Sequence, residues 1–327
     1  MNQRLMHILE NFKGKKIIVL GDIMLDKYIW GNVSRISPEA PVQVVKVLKE
    51  TFAPGGAANV ANNIVALGSE VFIVGIVGDE NPAEKNILLG ELNMRKIDTS
   101  GIFTDAGRPT TLKVRILGKS QQLLRVDYEK DSAFHASISE KILRFIESRI
   151  SSVDAIVVSD YAKGVVNPSL ISNIISLANQ NKKIFIVDPK PKHRELYKNV
   201  TLITPNHNEA VMMAGMSADD EYDLGEIGSN LVKSLGSSIL LTKGEKGMTL
   251  FEKNGGVTEI PAKAREVYDV VGAGDTVVAA AALALSAGAT LKEAAVISNI
   301  AAGIKVGKVG TSTVSIDEIR KELENEY

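Results

Sequence analysis

The chain contains no cysteine, which removes disulfides, thiolate metal sites and a cysteine nucleophile from consideration. Histidine is scarce, with four residues, and no two of them stand at metal-ligand spacing. The longest uninterrupted apolar run, residues 277–285, falls far short of the roughly 20 residues that cross a bilayer. Residues 1–16 are polar and charged and lack the apolar centre of a secretory signal. A net charge of -1 over 327 residues leaves no general attraction to nucleic acid or anionic membrane. With 45% hydrophobic and 24% charged residues, the balance is that of an ordinary globular protein. These features predict a cytoplasmic protein without nucleic-acid or membrane partners.

Apolar runs alternate with helical patterns along most of the chain. Runs at 16–20, 71–77, 155–158, 184–187 and 202–204 end respectively at Gly21-Asp22, Gly78-Asp79, Ser159-Asp160, Asp188-Pro189 and Pro205-Asn206. Helical spacing occupies the intervals near 57–67, 83–92, 139–150, 168–179, 209–214 and 224–235. This is the pattern of an α/β protein, a parallel sheet covered by helices on both faces. Ligands bind such sheets at the carboxyl ends of the strands, where the polar residues recur here. Two excursions, about 27–52 and 108–128, carry β-rich segments with no helix between them. They predict one small antiparallel sheet beside the main body, too small to bury both faces and so suited to a lid or a dimer contact. Nothing reads as an interdomain linker, so residues 1–327 are expected to form one domain with that lid.

The most informative segment is Asp269-Val270-Val271-Gly272-Ala273-Gly274-Asp275, which runs into the helical pattern of residues 276–287. A glycine-rich turn at a helix N-terminus gathers unpaired N–H groups and partial positive charge, which makes it an anion site. A carboxylate in that turn binds anions poorly, yet it can take a proton where negative charge is about to be stabilised. Gly272, Ala273, Gly274 and Asp275 therefore suggest a phosphoryl group being moved onto a hydroxyl. The same residues would also serve a plain strand-to-helix turn with Asp275 as a first-turn cap. A dinucleotide fingerprint does not fit, because the third small position is Val277. Nor does a P-loop: the nearest match, Gly303 to Val309, has one spacer too few.

Other constellations support this chemistry. Gly55 and Gly56 would let a polyol approach the backbone, and Asn59 offers both a donor and an acceptor. Asp22 and Asp26 follow the first strand, where carboxylates can accept bonds from sugar hydroxyls. In Asn206-His207-Asn208-Glu209, Asn206 could touch phosphate and Glu209 a metal-bound water, and the pair also reads as a helix cap with its N3 partner. Thr242-Lys243-Gly244-Glu245-Lys246-Gly247 ends a strand and opens a hairpin across which a nucleotide could lie. Arg108, Arg115, Arg125, Lys163 and Lys190 stand near lid or strand ends where a second phosphate could bind.

Taken in order, Gly21-Asp22, Gly55-Gly56 with Asn59, Asn206 with Glu209, and Gly272–Asp275 resemble the motifs of the ribokinase-like, or phosphofructokinase-B, family of sugar kinases. The segments Gly21–Asp26, Ser34–Val42, Gln121–Arg125, Ser159–Gly164 and Gly307–Val314 are similar to its D-glycero-β-D-manno-heptose-7-phosphate kinase branch. The resemblance implies a three-layer α/β/α sandwich and ATP-dependent phosphorylation of O1 of the heptose 7-phosphate, a step toward ADP-heptose for lipopolysaccharide. It implies ATP and Mg²⁺, with Asp275 as base and Glu209 acting on the metal through water. Asp22, Asp26, Gly55, Gly56, Asn59 and Asp160 are expected around the sugar, and Arg125, Lys163 or Lys190 at its phosphate. His207, Asn208, Asn299 and Gly303 join Thr242, Lys243, Gly244 and Gly247 around the nucleotide. A monovalent cation such as K⁺ would sit near Asp269, although Val271 replaces a threonine common in relatives. Many members carry a C-terminal adenylyltransferase with a His-x-Gly-His motif; its absence here is similar to a standalone kinase or an isolated kinase domain. A homodimer through the lid sheet is expected. A kinase for another sugar or nucleoside, an NAD-linked oxidoreductase and a non-catalytic sugar sensor are the competing readings.

Overall fold

Isoleucine, valine and leucine fill the strand at Lys16–Gly21, and five of its six residues are buried. A strand this apolar needs cover on both faces. The computed structural model describes residues 2–118, 121–130, 134–217, 220–262, 267–308, 310 and 312–325. From the N-terminus run α1 (Asn2–Glu10), β1 (Lys16–Gly21), β2 (Ile23–Ile36), β3 (Gln43–Gly56), α2 (Ala57–Ala66), β4 (Glu70–Gly78), α3 (Pro82–Met94) and β5 (Asp98–Asp105). Then follow β6 (Thr111–Gly118), β7 (Gln121–Tyr128), α4 (Ala136–Arg149), β8 (Ala155–Ser159), α5 (Pro168–Gln180), β9 (Ile184–Asp188), β10 (Leu202–Ile203), α6 (His207–Met213) and α7 (Leu224–Leu235). Last come β11 (Ser238–Thr242), β12 (Met248–Phe251), β13 (Val257–Ile260), α8 (Ala273–Ser286), α9 (Leu291–Val306) and α10 (Ile316–Glu324).

The main sheet is nine-stranded, in the order β13-β12-β11-β10-β9-β8-β1-β4-β5. All neighbours from β11 to β5 pair in parallel, and β12 and β13 add an antiparallel edge. Alternate side chains of β1 point to opposite faces. Ile17 and Val19 join a core with α1, α2, α3, α8, α9 and α10, while Ile18 and Leu20 join one with α4, α5, α6 and α7. This is the expected three-layer arrangement. No helix among the described residues is long and apolar enough to cross a membrane.

A second sheet has the order β3-β2-β6-β7. It corrects the expectation of a wholly antiparallel lid: the two hairpins are antiparallel within themselves, but β2 and β6 pair in parallel. The reason is the exit direction. β2 leaves the main sheet just after β1 and β6 shortly after β5, so both depart from the carboxyl edge of parallel strands. The first hairpin is also longer than expected, running from Ile23 to Gly56, because a single residue, Asp22, separates β1 from β2. Residues 119–120 of the second hairpin, and Val309 and Thr311 of the 307–314 motif, lie outside the described residues.

Candidate active site

Gly272 caps α8 with φ +77°, a left-handed conformation open to glycine. A Cβ there would come within 2.8 Å of the Asn59 side-chain nitrogen. Asp275 is the third residue of α8 and is only 5% exposed. Its Oδ2 accepts a hydrogen bond of 2.6 Å from Asn59 Nδ2, and its Oδ1 one of 3.3 Å from the Tyr161 hydroxyl. Alanine and valine fill the α8 face toward α2, so these helices approach closely enough for the Asn59 contact. One turn further, Thr276 Oγ1 donates to Asn63 Oδ1 at 2.9 Å and locks the same pair. The Ala273 N–H donates to the Val270 carbonyl at 3.2 Å. Ala273 is therefore corrected from anion donor to turn former, which leaves the remaining first-turn amides, including that of Gly274, to face an anion.

Burial pushes the Asp275 carboxyl up to about 6, with Asp26 adding to the rise. The hydrogen bonds from Asn59 and Tyr161 and the charge of Lys190 hold it back from rising further. An acid poised near neutrality suits proton removal at physiological pH.

Beside it the strand ends assemble a charged wall. Asp188 closes β9 and still shows part of its surface, yet burial, and then the Glu209 and Asp275 charges, raise its pKa well above the usual range. Lys190 donates to Glu209 Oε1 at 2.6 Å. Burial opposes its charge, but Glu209, Asp188 and Asp160 outweigh that and raise its pKa. Asn206 caps α6 by accepting from the Glu209 N–H at 2.9 Å, and Glu209 Oε2 accepts in return from the Asn206 N–H at 3.0 Å. No group of three or more candidate ligands closes on one point among the described residues. Mg²⁺ keeps several waters and is held by one or two carboxylates plus substrate phosphates; Asp188 and Glu209, whose charges act on each other, are the carboxylates here that could hold it.

A cavity of about 650 Å³ opens on the other side of the α8 N-terminus. Thr242, Gly244, Gly247, Asn299 and Gly303 line it together with Ala273 and Gly274, so most of the expected nucleotide residues share one space with the anion turn. Three do not. Lys243 pairs its ammonium with Glu259 across the β11–β13 edge. His207 is 2.8 Å from the Tyr222 hydroxyl and packs edge-on against that ring, while Asn208 is exposed on α6.

At the base of the lid the carboxylates divide. Asp22 turns inward and accepts from the backbone N–H groups of Tyr161 (2.8 Å), Lys163 (3.1 Å) and Val165 (3.2 Å). Burial raises its pKa, with those bonds opposing the rise. Asp160 likewise accepts from the backbone N–H groups of Ala162 and Lys190, from the Tyr197 hydroxyl and from His193 Nδ1. Both are corrected from sugar ligands to anchors of the 160–165 loop, because their oxygens are already filled. Asp26 instead pairs with Arg115 and lies against Gly55, where a Cβ would sit 2.6 Å from its Oδ2. Gly56 packs on the Asp22 carbonyl. Tyr28, whose hydroxyl has no hydrogen-bond partner among the described residues, lies in the same corner. Burial, and then Asp26, push its pKa to about 12.

Each of the three cations assigned to a second phosphate is paired with a carboxylate. Lys190 serves Glu209, Lys163 donates to Glu129 at 2.7 Å, and Arg125 pairs with Asp127 on an exposed face of β7. Neither Asp188 nor Tyr161 is among the residues expected at the site from the sequence. The Asp-Pro at a strand end is the available signal for Asp188; Tyr161 falls within the Ser159–Gly164 segment, but only the fold brings its hydroxyl to Asp275.

An α/β/α sandwich whose glycine-capped helix holds a buried carboxylate between a nucleotide-sized cavity and a lid defines a phosphotransferase acting on an alcohol. The chain belongs to the pfkB family of carbohydrate kinases, whose model matches residues 14–319. It is 45% identical to the bifunctional protein HldE of Geobacter metallireducens over 92% of this chain and 61% of that one. The corresponding protein of Helicobacter pylori is 42% identical over 93% of this chain and 65% of its own. The chain thus spans less than two thirds of the length of these curated relatives. Among solved structures, phosphofructokinase-2 of Escherichia coli in complex with potassium superposes with a TM-score of 0.77 at 19% identity, covering 95% of this chain and 99% of the other. At that identity the likeness speaks to the fold.

Proposed function

We propose that this chain transfers the γ-phosphoryl group of ATP to O1 of D-glycero-β-D-manno-heptose 7-phosphate, giving the 1,7-bisphosphate. The observation that carries the reading is Asp275, a carboxylate with its pKa near 6, buried at the junction of the cavity and the lid base. The heptose assignment is supported by the branch motifs in the sequence and by 45% identity to a relative named HldE.

The sugar lies at the lid base among Asp26, Gly55, Gly56 and Asn59. Asn59 fixes Asp275, which takes the proton from the attacking hydroxyl. The N-terminal amides of α8 face the charge that develops on the transferred group. Mg²⁺, when bound with the nucleotide, neutralises phosphate charge, and Asp188 and Glu209 would hold it. Lys190 orients Glu209 through its hydrogen bond and adds positive charge near Asp275. The two hairpins close over the sugar and exclude water that would otherwise accept the phosphoryl group. Lys163 and Arg125, on the lid side, are the candidates for the 7-phosphate. Residues 1–327 form one kinase domain that acts in the cytoplasm, pairs in homodimers through the lid sheet, and supplies ADP-heptose synthesis.

The test is ADP release against a panel of sugars, sugar phosphates and nucleosides. Heptose 7-phosphate should give the highest kcat/KM, and heptose without the phosphate a value lower by roughly 10²-fold, the scale of a lost charge-assisted contact pair. Preference for an unphosphorylated sugar or a nucleoside would overturn the heptose assignment while leaving the family chemistry in place.

A further inference from the structure

Among the described residues, those around Asp269 do not present an open site for the expected monovalent cation. Such a cation needs several oxygens converging on one point. Each Asp269 oxygen already accepts from a main-chain donor, Oδ1 from the Val271 N–H at 2.9 Å and Oδ2 from the Gly310 N–H at 3.0 Å. Position 271 is valine and has no hydroxyl to add. The Gly310 carbonyl is also occupied: it accepts a hydrogen bond of 2.8 Å from the ammonium of Lys305.

Lys305 itself calls for a reason. It lies on α9 and is 1% exposed, among the largest fully buried side chains of the protein. Lysine is almost never fully buried without a partner, because burying an ammonium is costly. Burial lowers its pKa and Lys308 adds to that, while the Asp269 and Asp275 carboxylates favour the charged form. Its Cε comes within 3.7 Å of the point where a Cβ on Gly272 would lie. The ammonium therefore sits behind the turn that presents the first amides of α8.

We infer that Lys305 is a tethered monovalent cation, a positioning residue that braces the 269–275 turn so that transfer needs no potassium. Its charge balances Asp269, ties Gly310 to the turn and adds a positive field at the anion site. The inference rests on the phosphoryl-transfer reading above but not on the identity of the sugar.

The experiment measures ATP affinity by calorimetry and ADP release in choline chloride buffer, with and without added potassium or ammonium, for the wild type, Lys305→Met and Lys305→Ala. Wild-type affinity and turnover should not change with either cation. Lys305→Met should lose roughly 10–100-fold in both, the size of one charge-assisted hydrogen bond. Lys305→Ala should recover toward wild type with ammonium or potassium and not with choline. Wild-type values that rise severalfold with potassium would overturn the inference, and so would a folded Lys305→Met protein matching wild type in choline. A folded Lys305→Ala protein indifferent to both cations would overturn it as well. The wild-type titration decides the matter alone should both variants fail to fold. ATP affinity needs no acceptor, so a protein inactive on every sugar tested would count against the kinase reading and leave this one measurable.

Discussion

Asn59 Nδ2 and Asp275 Oδ2 meet at 2.6 Å although 216 positions separate them in the chain. The contact joins the first turns of α2 and α8, so the lid base and the transfer site share one hydrogen bond. Asn59 also lowers the pKa of Asp275, which burial raises to about 6. The ionised base is lost as pH falls through that value, so kcat/KM should rise with pH through an acid limb near 6. Asn59→Ala removes a stabiliser of the anion and should move that limb upward. At neutral pH it should lower turnover by roughly 10–100-fold, the range of one charge-assisted bond. A pH–rate profile of both proteins checks this; an unmoved limb would separate Asn59 from the base.

Asp22 holds three backbone N–H groups of the loop after β8. Asp22→Ala would strand those donors in a buried place, at about 1–3 kcal/mol each before water or rearrangement relieves them. Urea denaturation should show a loss of about 2–5 kcal/mol, with Asp22→Asn milder because it keeps one acceptor oxygen. An Asp22→Ala protein of wild-type stability would mean the loop is held by other contacts.

Ile36, Val42, Val47 and Leu48 expose apolar side chains along the outer part of the first hairpin, Leu48 at 64%. In the proposed lid dimer these side chains would form the contact. Leu48→Glu should convert a dimer to a monomer in sedimentation velocity while the melting temperature of the protomer stays close to wild type. A wild type that sediments as a monomer at micromolar concentration would remove the lid dimer.

The alternation of strand and helix was legible because its periods, two and 3.6, are local. The turn at 269–275 was legible for the same reason: glycines, an acid and a helix start lie within seven consecutive residues. What stayed hidden depends on which strands are neighbours. Asp22 and Asp160 look like free carboxylates at strand ends, and only the β1–β8–β9 adjacency shows their oxygens filled from within. His207 faces Tyr222 rather than the nucleotide because α6 turns that side of its first residue away from the cavity. Lys305 gave no local sign at all, since a lysine in a helical pattern ordinarily reads as a solvated position.

In the proposed mechanism Asp275 removes the proton from the acceptor hydroxyl. Asp275→Asn keeps the shape and an acceptor for Asn59 while removing the base. It also mimics the protonated acid that the fold prefers. Because the folded-state pKa of about 6 lies above the usual 3.8, ionisation destabilises the fold as pH rises through that window. The variant should therefore be more stable than wild type at neutral pH, by up to about 3 kcal/mol. The deciding measurement is the single-turnover rate of phosphoryl transfer for Asp275→Asn beside wild type, with ATP and acceptor saturating. With Asp275 as the base, the rate should fall on the order of 10²–10⁴-fold with substrate affinity little changed. A folded variant that transfers at a near-normal rate would contradict it.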